Sequence, residues 1–482
     1  MSCVKIHWLD RKLTLHMLGM FSMLSLPLAA QSGEWIISPS ITLDEIYTDN
    51  AQLTSDDKQE EYVTRVRPGL SIYREGARTN LDFNYSPEYR YYKEETRHNE
   101  TVHFLRANAD AEVVENHLFV DVWGAADQTR ISGSRNSPDG LTGPAENVDY
   151  YMLGLSPYYT TRFGNVAVLE TRYTADKVEY EEDNEIDSSS QKIDLVVGSG
   201  TYSTAQAWEL SASHTREDFS GPQDNKVSIF RGEFIQQITR RWALAFAAGY
   251  EEFDLANEED VKGELWSLGI VFTPTNRTRF SIGGGERAFG DDYYVDFEHE
   301  ASKSVWRLNY KREYISARDE VTHSSLFQRQ DEFGNLVRDP VLDNPPSVSV
   351  VGISTLSAEY YETDRVNASY AFRTLRTLIQ LRAGFIKRDY SLDSQDTEDK
   401  TASISLRRVI SRRFSGLTRL LWVDHDQDLN VYDEWSADLG LVYALGANTS
   451  LSFGYTYLER DGEIDLNDFD ENRVTLGLIS SF

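Results

Sequence analysis

Cysteine, proline, long apolar runs and positive charge are what this chain has little of. There is 1 Cys among 482 residues, Cys3. Beyond the first thirty positions there is none, so disulfides, thiolate metal sites and thiol nucleophiles are excluded from the body of the protein. Proline is scarce, at 12. Past residue 30 no apolar run approaches the roughly 18 residues that a membrane-crossing helix requires. Such a chain can still enter a membrane, but only as a closed barrel. Lys and Arg total 48 against 78 Asp and Glu, a formal net charge of -30. That balance argues against nucleic acid or an anionic membrane surface as a partner. It would also suit a disordered chain, but disordered chains are poor in aromatics, and here they make up 12%, including 27 Tyr. The chain folds.

The N-terminus reads as an address. Lys5, Arg11 and Lys12 precede "LTLHMLGMFSMLSLPLAA", an apolar stretch ending in the small residues Ala29 and Ala30. This is a secretory signal pattern, expected to be removed after Ala30, with residues 31–482 forming the mature protein. Cys3 lies too far from that cleavage point to serve as a lipoprotein acylation site.

The body of the chain alternates. "NLDFNYSPEYRYY" places Leu81, Phe83, Tyr85, Tyr89 and Tyr91 on one face and Asn80, Asp82, Asn84, Glu88 and Arg90 on the other. "VWRLNYKREY" sets Trp306, Leu308, Tyr310 and Tyr314 against Arg307, Asn309, Lys311 and Glu313. "SLSFGYTYLER" sets Leu451, Phe453, Tyr455 and Tyr457 against Ser450, Ser452, Gly454 and Thr456. Period 2 with one apolar and one polar face is the signature of a sheet. The connections add an order of their own. Short turns such as "REGART", "VENH", "TRFGN", "TPTNRT", "ISRRF" and "LGANT" alternate with acidic loops such as "SGSRNSPDGLTGPAEN", "YEEDNEIDSSS" and "RDGEIDLNDFDEN". Two membrane strands with one short and one long connection take about forty residues. The expected fold is therefore all-β: a transmembrane, antiparallel, up-and-down β-barrel of about 22 strands, within a range of about 18 to 26. Both termini then face the periplasm. Paired tyrosines (Tyr91 and Tyr92, Tyr150 and Tyr151, Tyr158 and Tyr159, Tyr293 and Tyr294, Tyr360 and Tyr361) fall near strand ends, where rings favour the membrane boundary. The chain ends on "VTLGLISSF", whose Leu476, Leu478 and Phe482 read as the insertion signal for the outer-membrane assembly machinery. Outer-membrane lipid and lipopolysaccharide are the expected surroundings, the bacterial outer membrane the expected location.

Strand signals begin at "WIISPSITLDEIYTDN", directly after the signal. The large vitamin and siderophore transporters place a globular plug before their barrel, and the sequence reading leaves no plug domain here. A barrel of this circumference should hold an aqueous channel unless loops fold into it. The long segment 319–351, which contains "DNPPS", is the candidate to fold inward and narrow the pore. Arg65, Arg67, Arg90, Arg307, Lys311 and Arg382 are expected to line the lumen, facing Asp82, Glu88 and Glu313. Such a mixed-charge lining either gives weak footholds to a passing hydrated solute or compensates itself and holds the lumen in shape.

"ISPSITLDEIYTDNAQL" resembles the opening stretch of outer-membrane barrels associated with exopolysaccharide and PEP-CTERM protein-sorting loci, with Pro39, Ser40, Thr48, Asp49 and Asn50 as the shared motif. The resemblance implies an outer-membrane location and a part in exporting or anchoring extracellular polysaccharide. A general or substrate-selective diffusion porin is the alternative, and an outer-membrane hydrolase or structural adhesin the next. No enzyme motif supports the last. "VDHDQDLN" has calcium-loop spacing at Asp424, Asp426 and Asp428, but Leu429 and Trp435 stand where the loop needs Gly and Glu. His214 and His425 have acidic neighbours and read as wet rim histidines. G-x-S-x-G and H-E-x-x-H are both missing. The expectation is a non-enzymatic channel or scaffold for polysaccharide export, with no cofactor, catalytic residue or metal site.

Overall fold

The computed structural model describes residues 33–130, 136–144, 147–181, 186–200, 205–221, 224–256, 259–326, 358–390, 396–427, 430–463 and 468–482. The signal-like leader and most of segment 319–351 lie outside the described residues.

Twenty-two strands run antiparallel in chain order, from β1 (Trp35–Thr48) to β22 (Phe469–Ser481). Each pairs with its neighbours, and β1 also pairs with β22 from Ser40↔Ser481 to Thr48↔Arg473, which closes the cylinder. Strands are 10 to 17 residues long. A tilted strand needs only about 9 to 11 residues to cross the hydrocarbon, so many of these project beyond it.

Period 2 decides what each strand shows to its surroundings. On β6 (Asn147–Phe163), Leu153 and Leu155 are exposed while Met152, Gly154 and Ser156 are buried between them. The exposed side carries Leu43, Leu153, Phe230, Leu308, Leu420 and Leu478, spread around the ring, with Leu43 and Leu478 partners across the closing seam. In water such a band would cost free energy; its partner is lipid. The paired tyrosines are corrected by the same rule. Adjacent residues on a strand cannot share a face, so Tyr91, Tyr151, Tyr159 and Tyr293 point outward while Tyr92, Tyr150, Tyr158 and Tyr294 point into the barrel. Tyr360 and Tyr361 are both buried.

Short turns lie at the end where β1 starts and β22 finishes, as between β2 (Glu61–Glu75) and β3 (Thr79–Tyr92). The opposite, outer end carries most of the longer connections. Its shortest joins β13 (Thr278–Arg287) to β14 (Gly290–Glu300) by only Ala288 and Phe289, and Gly290 takes φ +130, a conformation that favours glycine. This short hairpin leaves a notch in the outer rim. β15 (Ser304–Ser316) follows β14 only as far as Lys311, then parts from the top of β14 while staying paired to β16 (Tyr360–Arg373). Released from β14, the top of β15 leans over the notch. Tyr314, grouped by the sequence with the lipid-facing Trp306 and Leu308, therefore packs on Phe253, Phe289 and Tyr360. Below the notch, Tyr294 lies across Gly269 and Gly283, where a Cβ would meet its hydroxyl at 2.0 Å and its ring at 2.4 Å.

Candidate functional site

The lumen has two unlike halves. In the outer half, inward positions of β1 to β3 carry Asp44, Arg65, Arg67, Glu88 and Arg90, and these charges satisfy one another. Arg65 donates to Asp44 from Nε at 2.8 Å and Nη2 at 2.6 Å. Arg67 Nη2 lies 2.6 Å from Glu88, and Arg90 Nε 2.7 Å from the same carboxylate. Arg90 Nη1 reaches Glu100 of β4 (Glu100–Val114) at 3.1 Å. With Glu88 and Arg90 almost fully buried, the arrangement survives only because every charge has a partner.

The connection between β5 (Leu118–Arg130) and β6 descends into this cluster. Its sequence Ser137-Pro-Asp-Gly140 makes a turn, with Pro138 setting φ, Gly140 at φ +67, and Gly140 N–H donating to the Ser137 carbonyl at 2.9 Å. Arg90 donates to the carbonyls of Gly140 (3.0 Å) and Asp139 (3.2 Å), and Arg97 to Gly140 (2.8 Å). Tyr92 Oη donates to the Leu141 carbonyl at 3.1 Å. Arg473 of β22 holds the Asp139 carboxylate at 2.9 Å. Burial would raise that carboxyl, but Arg473, the Ser137 hydroxyl, Arg65 and Arg90 together hold it well below the usual range. Leu141 completes an apolar contact with Ile46, Val63 and Tyr92.

A second segment enters from the other side. After β15 the chain forms helix α1 (Ala317–Leu326), capped by Ser316, whose Oγ accepts the Asp319 N–H at 3.1 Å. Arg318 reaches β7 (Ala167–Tyr180) and β8 (Ser188–Ser199), pairing with Asp176 and donating to Ser188 Oγ at 3.0 Å. Glu320 accepts from Arg365 of β16 at 2.7 Å and from Arg388 of β17 (Thr377–Tyr390) at 2.9 and 3.0 Å. β7 and β17 are ten strands apart in a ring of twenty-two, so the first turn of α1 ties opposite walls together across the lumen. Burial alone would raise the Glu320 carboxyl; Arg388, Arg365 and Tyr361 bring it down to about 2. Residues 319–326 are thus directed inward; the rest of segment 319–351 lies outside the described residues.

In the inner half the lumen-facing charges stay wet. Asp82 accepts from Asn84 at 2.6 Å rather than meeting an arginine, a departure from the expected pairing. Arg307 lies 3.0 Å from Glu298, with both side chains more than two-fifths exposed. Arg382 is exposed; Lys311 and Glu313 pair with each other higher up, level with Arg365 and Arg388, and are part-exposed there. The charges named from sequence therefore form one buried network (Arg65, Arg67, Glu88, Arg90) and a dispersed wet set (Asp82, Arg307, Lys311, Glu313, Arg382). Period 2 revealed their face but not their depth. Asp44, Asp139, Glu320, Arg388 and Arg473 were missed, although Asp44 and Arg473 share the inward parity that marks the others.

The motif Pro39, Ser40, Thr48, Asp49 and Asn50 sits on the seam where first and last strands meet. Thr48 Oγ1 donates to Glu471 at 2.8 Å, and Asp49 accepts from the Asn472 N–H and Nδ2, both at 2.8 Å. Asn50 Nδ2 donates to the carbonyls of Asp470 (2.9 Å) and Thr54 (2.7 Å). At the inner end the Phe482 N–H donates to the Pro39 carbonyl at 2.9 Å, and Ser40 faces Ser481. The motif fastens a closure. Leu476, Leu478 and Phe482 are exposed on the lipid side.

Of the histidines, His214 points outward, its Nδ1 2.9 Å from Ser228 Oγ. His425, expected to be wet, is buried with Nδ1 2.6 Å from Asp399 Oδ1, because its parity is inward and the outer lumen is filled. Asp424 accepts from Lys400 at 3.3 Å, whereas Asp428 lies outside the described residues. Among the described residues no three His, Cys, Asp or Glu side chains are grouped to hold a metal ion.

The family described as "Putative beta-barrel porin 2" matches residues 27–194. No curated protein matches the chain. Among solved structures, it is similar to the FrpB iron transporter from Neisseria meningitidis (F3-3 variant), with TM-score 0.54 and 10% identity over 94% of this chain and 82% of that one. It is also similar to the siderophore receptor PirA from Acinetobacter baumannii, with TM-score 0.52 and 7% identity over 94% and 81%. At such identities the likeness shows the fold alone. It nevertheless corrects the expected barrel with no plug domain, set apart from the siderophore transporters: the barrels it resembles are theirs. Strand number sets circumference, whatever fills the lumen. The protein is a β-barrel of the bacterial outer membrane.

Proposed function

We propose that the barrel is a gated export channel that takes a hydrated polymer, extracellular polysaccharide, from the periplasm. The observation that carries the reading is the asymmetry of the lumen. Its outer half is crossed by residues 136–143 and by α1, both held by paired charges, while its inner half presents wet charges toward the periplasm. A receptor for external cargo needs its polar groups available from outside; here the available ones face inward. The resemblance around Thr48 to Asn50 supports the cargo, although those side chains fasten the seam rather than touch the lumen path.

The test has two parts. Removing residues 319–351 should raise single-channel conductance in planar bilayers, and deleting the whole protein should abolish surface polysaccharide while leaving small-solute permeability unchanged. A wild-type protein that already conducts as a wide pore, with no change on excision, would leave the general diffusion porin. The matched family description favours that second reading.

A further inference from the structure

Near the periplasmic mouth, inward positions of β5, β6 and β7 bring together residues that none of the charge networks uses. Phe119 stacks on Tyr158, with centroids 5.0 Å apart and planes 13° from parallel. Arg172 stacks its guanidinium on the same tyrosine, 3.8 Å from the ring centre. The three planes form a row across three adjacent strands, because Phe119 is in register with Tyr158 and Tyr158 with Arg172. The guanidinium is fixed by Asp121 (2.7 Å), Ser156 (3.1 Å) and Glu170 (3.2 Å). Each carboxylate uses one oxygen for this; Asp121 Oδ1 and Glu170 Oε2 take no hydrogen bond among the described residues. Apart from Ser156 these side chains are part-exposed, so the row is open to the vestibule.

We infer that this row is a saccharide-binding ledge, selective for uncharged sugar chains; the inference names the cargo class for the export reading above and rests on it. A pyranose offers an apolar C–H face and a rim of hydroxyls, and the ledge offers an aromatic surface bordered by unused carboxylate oxygens that accept from hydroxyls. Two carboxylates against one guanidinium leave the ledge net negative, and Asp110 stands directly opposite Asp121 across the ladder. A polyuronic chain would bring like charge to it. Rigid stacking keeps the cost of ordering low, which suits contacts that must form and break repeatedly.

Binding to the full-length protein in detergent, measured by titration calorimetry with maltohexaose, cellohexaose and hexagalacturonate, tests this. At least one neutral hexasaccharide should bind, with hexagalacturonate at least about tenfold weaker. Tyr158→Leu should weaken neutral binding about tenfold and Arg172→Gln by less, with heat-modifiable gel migration confirming folded barrels. Failure of both neutral hexasaccharides to bind, undiminished binding by folded Tyr158→Leu, or tighter binding of hexagalacturonate overturns the ledge. Conductance plays no part in this measurement, so a gated barrel that does not bind loses only the ledge. A barrel that binds but does not respond to excision of residues 319–351 loses only the gate.

Discussion

Arg90 and Arg382 both point inward from upward strands, Arg90 near the outer end of β3 and Arg382 midway along β17, and one is buried among carboxylates and carbonyls while the other is exposed. The difference lies in what descends on them. Arg90 meets the carbonyls of Asp139 and Gly140, which exclude water and leave Glu88 and Glu100 to balance its charge. Arg382 looks into the vestibule, where solvent screens it. In the first setting a charge must be paired or it unfolds its surroundings; in the second it can be exchanged almost freely.

The largest expected effect follows from Glu88, which serves Arg65, Arg67 and Arg90 together. Glu88→Ala should destabilise the barrel by about 3 to 5 kcal/mol in urea unfolding, since the buried Arg90 and the half-buried Arg65 and Arg67 lose their shared partner. Asp82→Ala, on the same strand but in the wet half, should stay within about 0.5 kcal/mol. Equal losses would erase the contrast between the halves.

Asp139→Ala removes one anchor of the inward turn and leaves Arg473 facing only Glu471 and Asp438. A loss of about 1 to 3 kcal/mol is expected, read as faster cleavage of residues 136–143 by protease added outside intact cells. Cleavage at the wild-type rate would mean that the turn is held by its backbone contacts.

Acid should sharpen the comparison further. The folded Glu320 carboxyl titrates near 2, below its ordinary value of 4.5, so its contribution is complete above the ordinary value and fades as pH falls toward the folded one. Asp139 shifts in the same direction. Conductance should therefore be level from neutral pH to about pH 5 and rise below about pH 4 as the cross-lumen tie weakens. A rise already complete at about pH 6 would point to another group. Smallest is Arg382→Ala: within about 0.5 kcal/mol in stability, but with a shift in reversal potential toward cation preference, since lumen charges tune selectivity.

Several elements were legible in advance. Leu81, Phe83 and Tyr85 disclose a face because side chains alternate, and "REGART" discloses a turn because the alternation breaks there. The inward parity of Arg65 and Arg90 was readable in the same way. What the strand pattern could not reveal was that Tyr314 leaves the lipid face, since that depends on how far the neighbouring hairpin rises. Nor could it pair Asp139 with Arg473, 334 positions apart along the chain. The wetness assigned to His425 failed for a related reason: exposure depends on what fills the lumen above a residue, not on the residues beside it.

Taken alone, the order of amino acids determined which face each strand turns outward, because period 2 is a local property of extended backbone. Whether an inward charge is wet or dry was decided only when the ring closed. Closure brings β22 beside β1 and carries residues 136–143 and α1 across the space between walls, and no local rule encodes a distance between opposite sides of a cylinder.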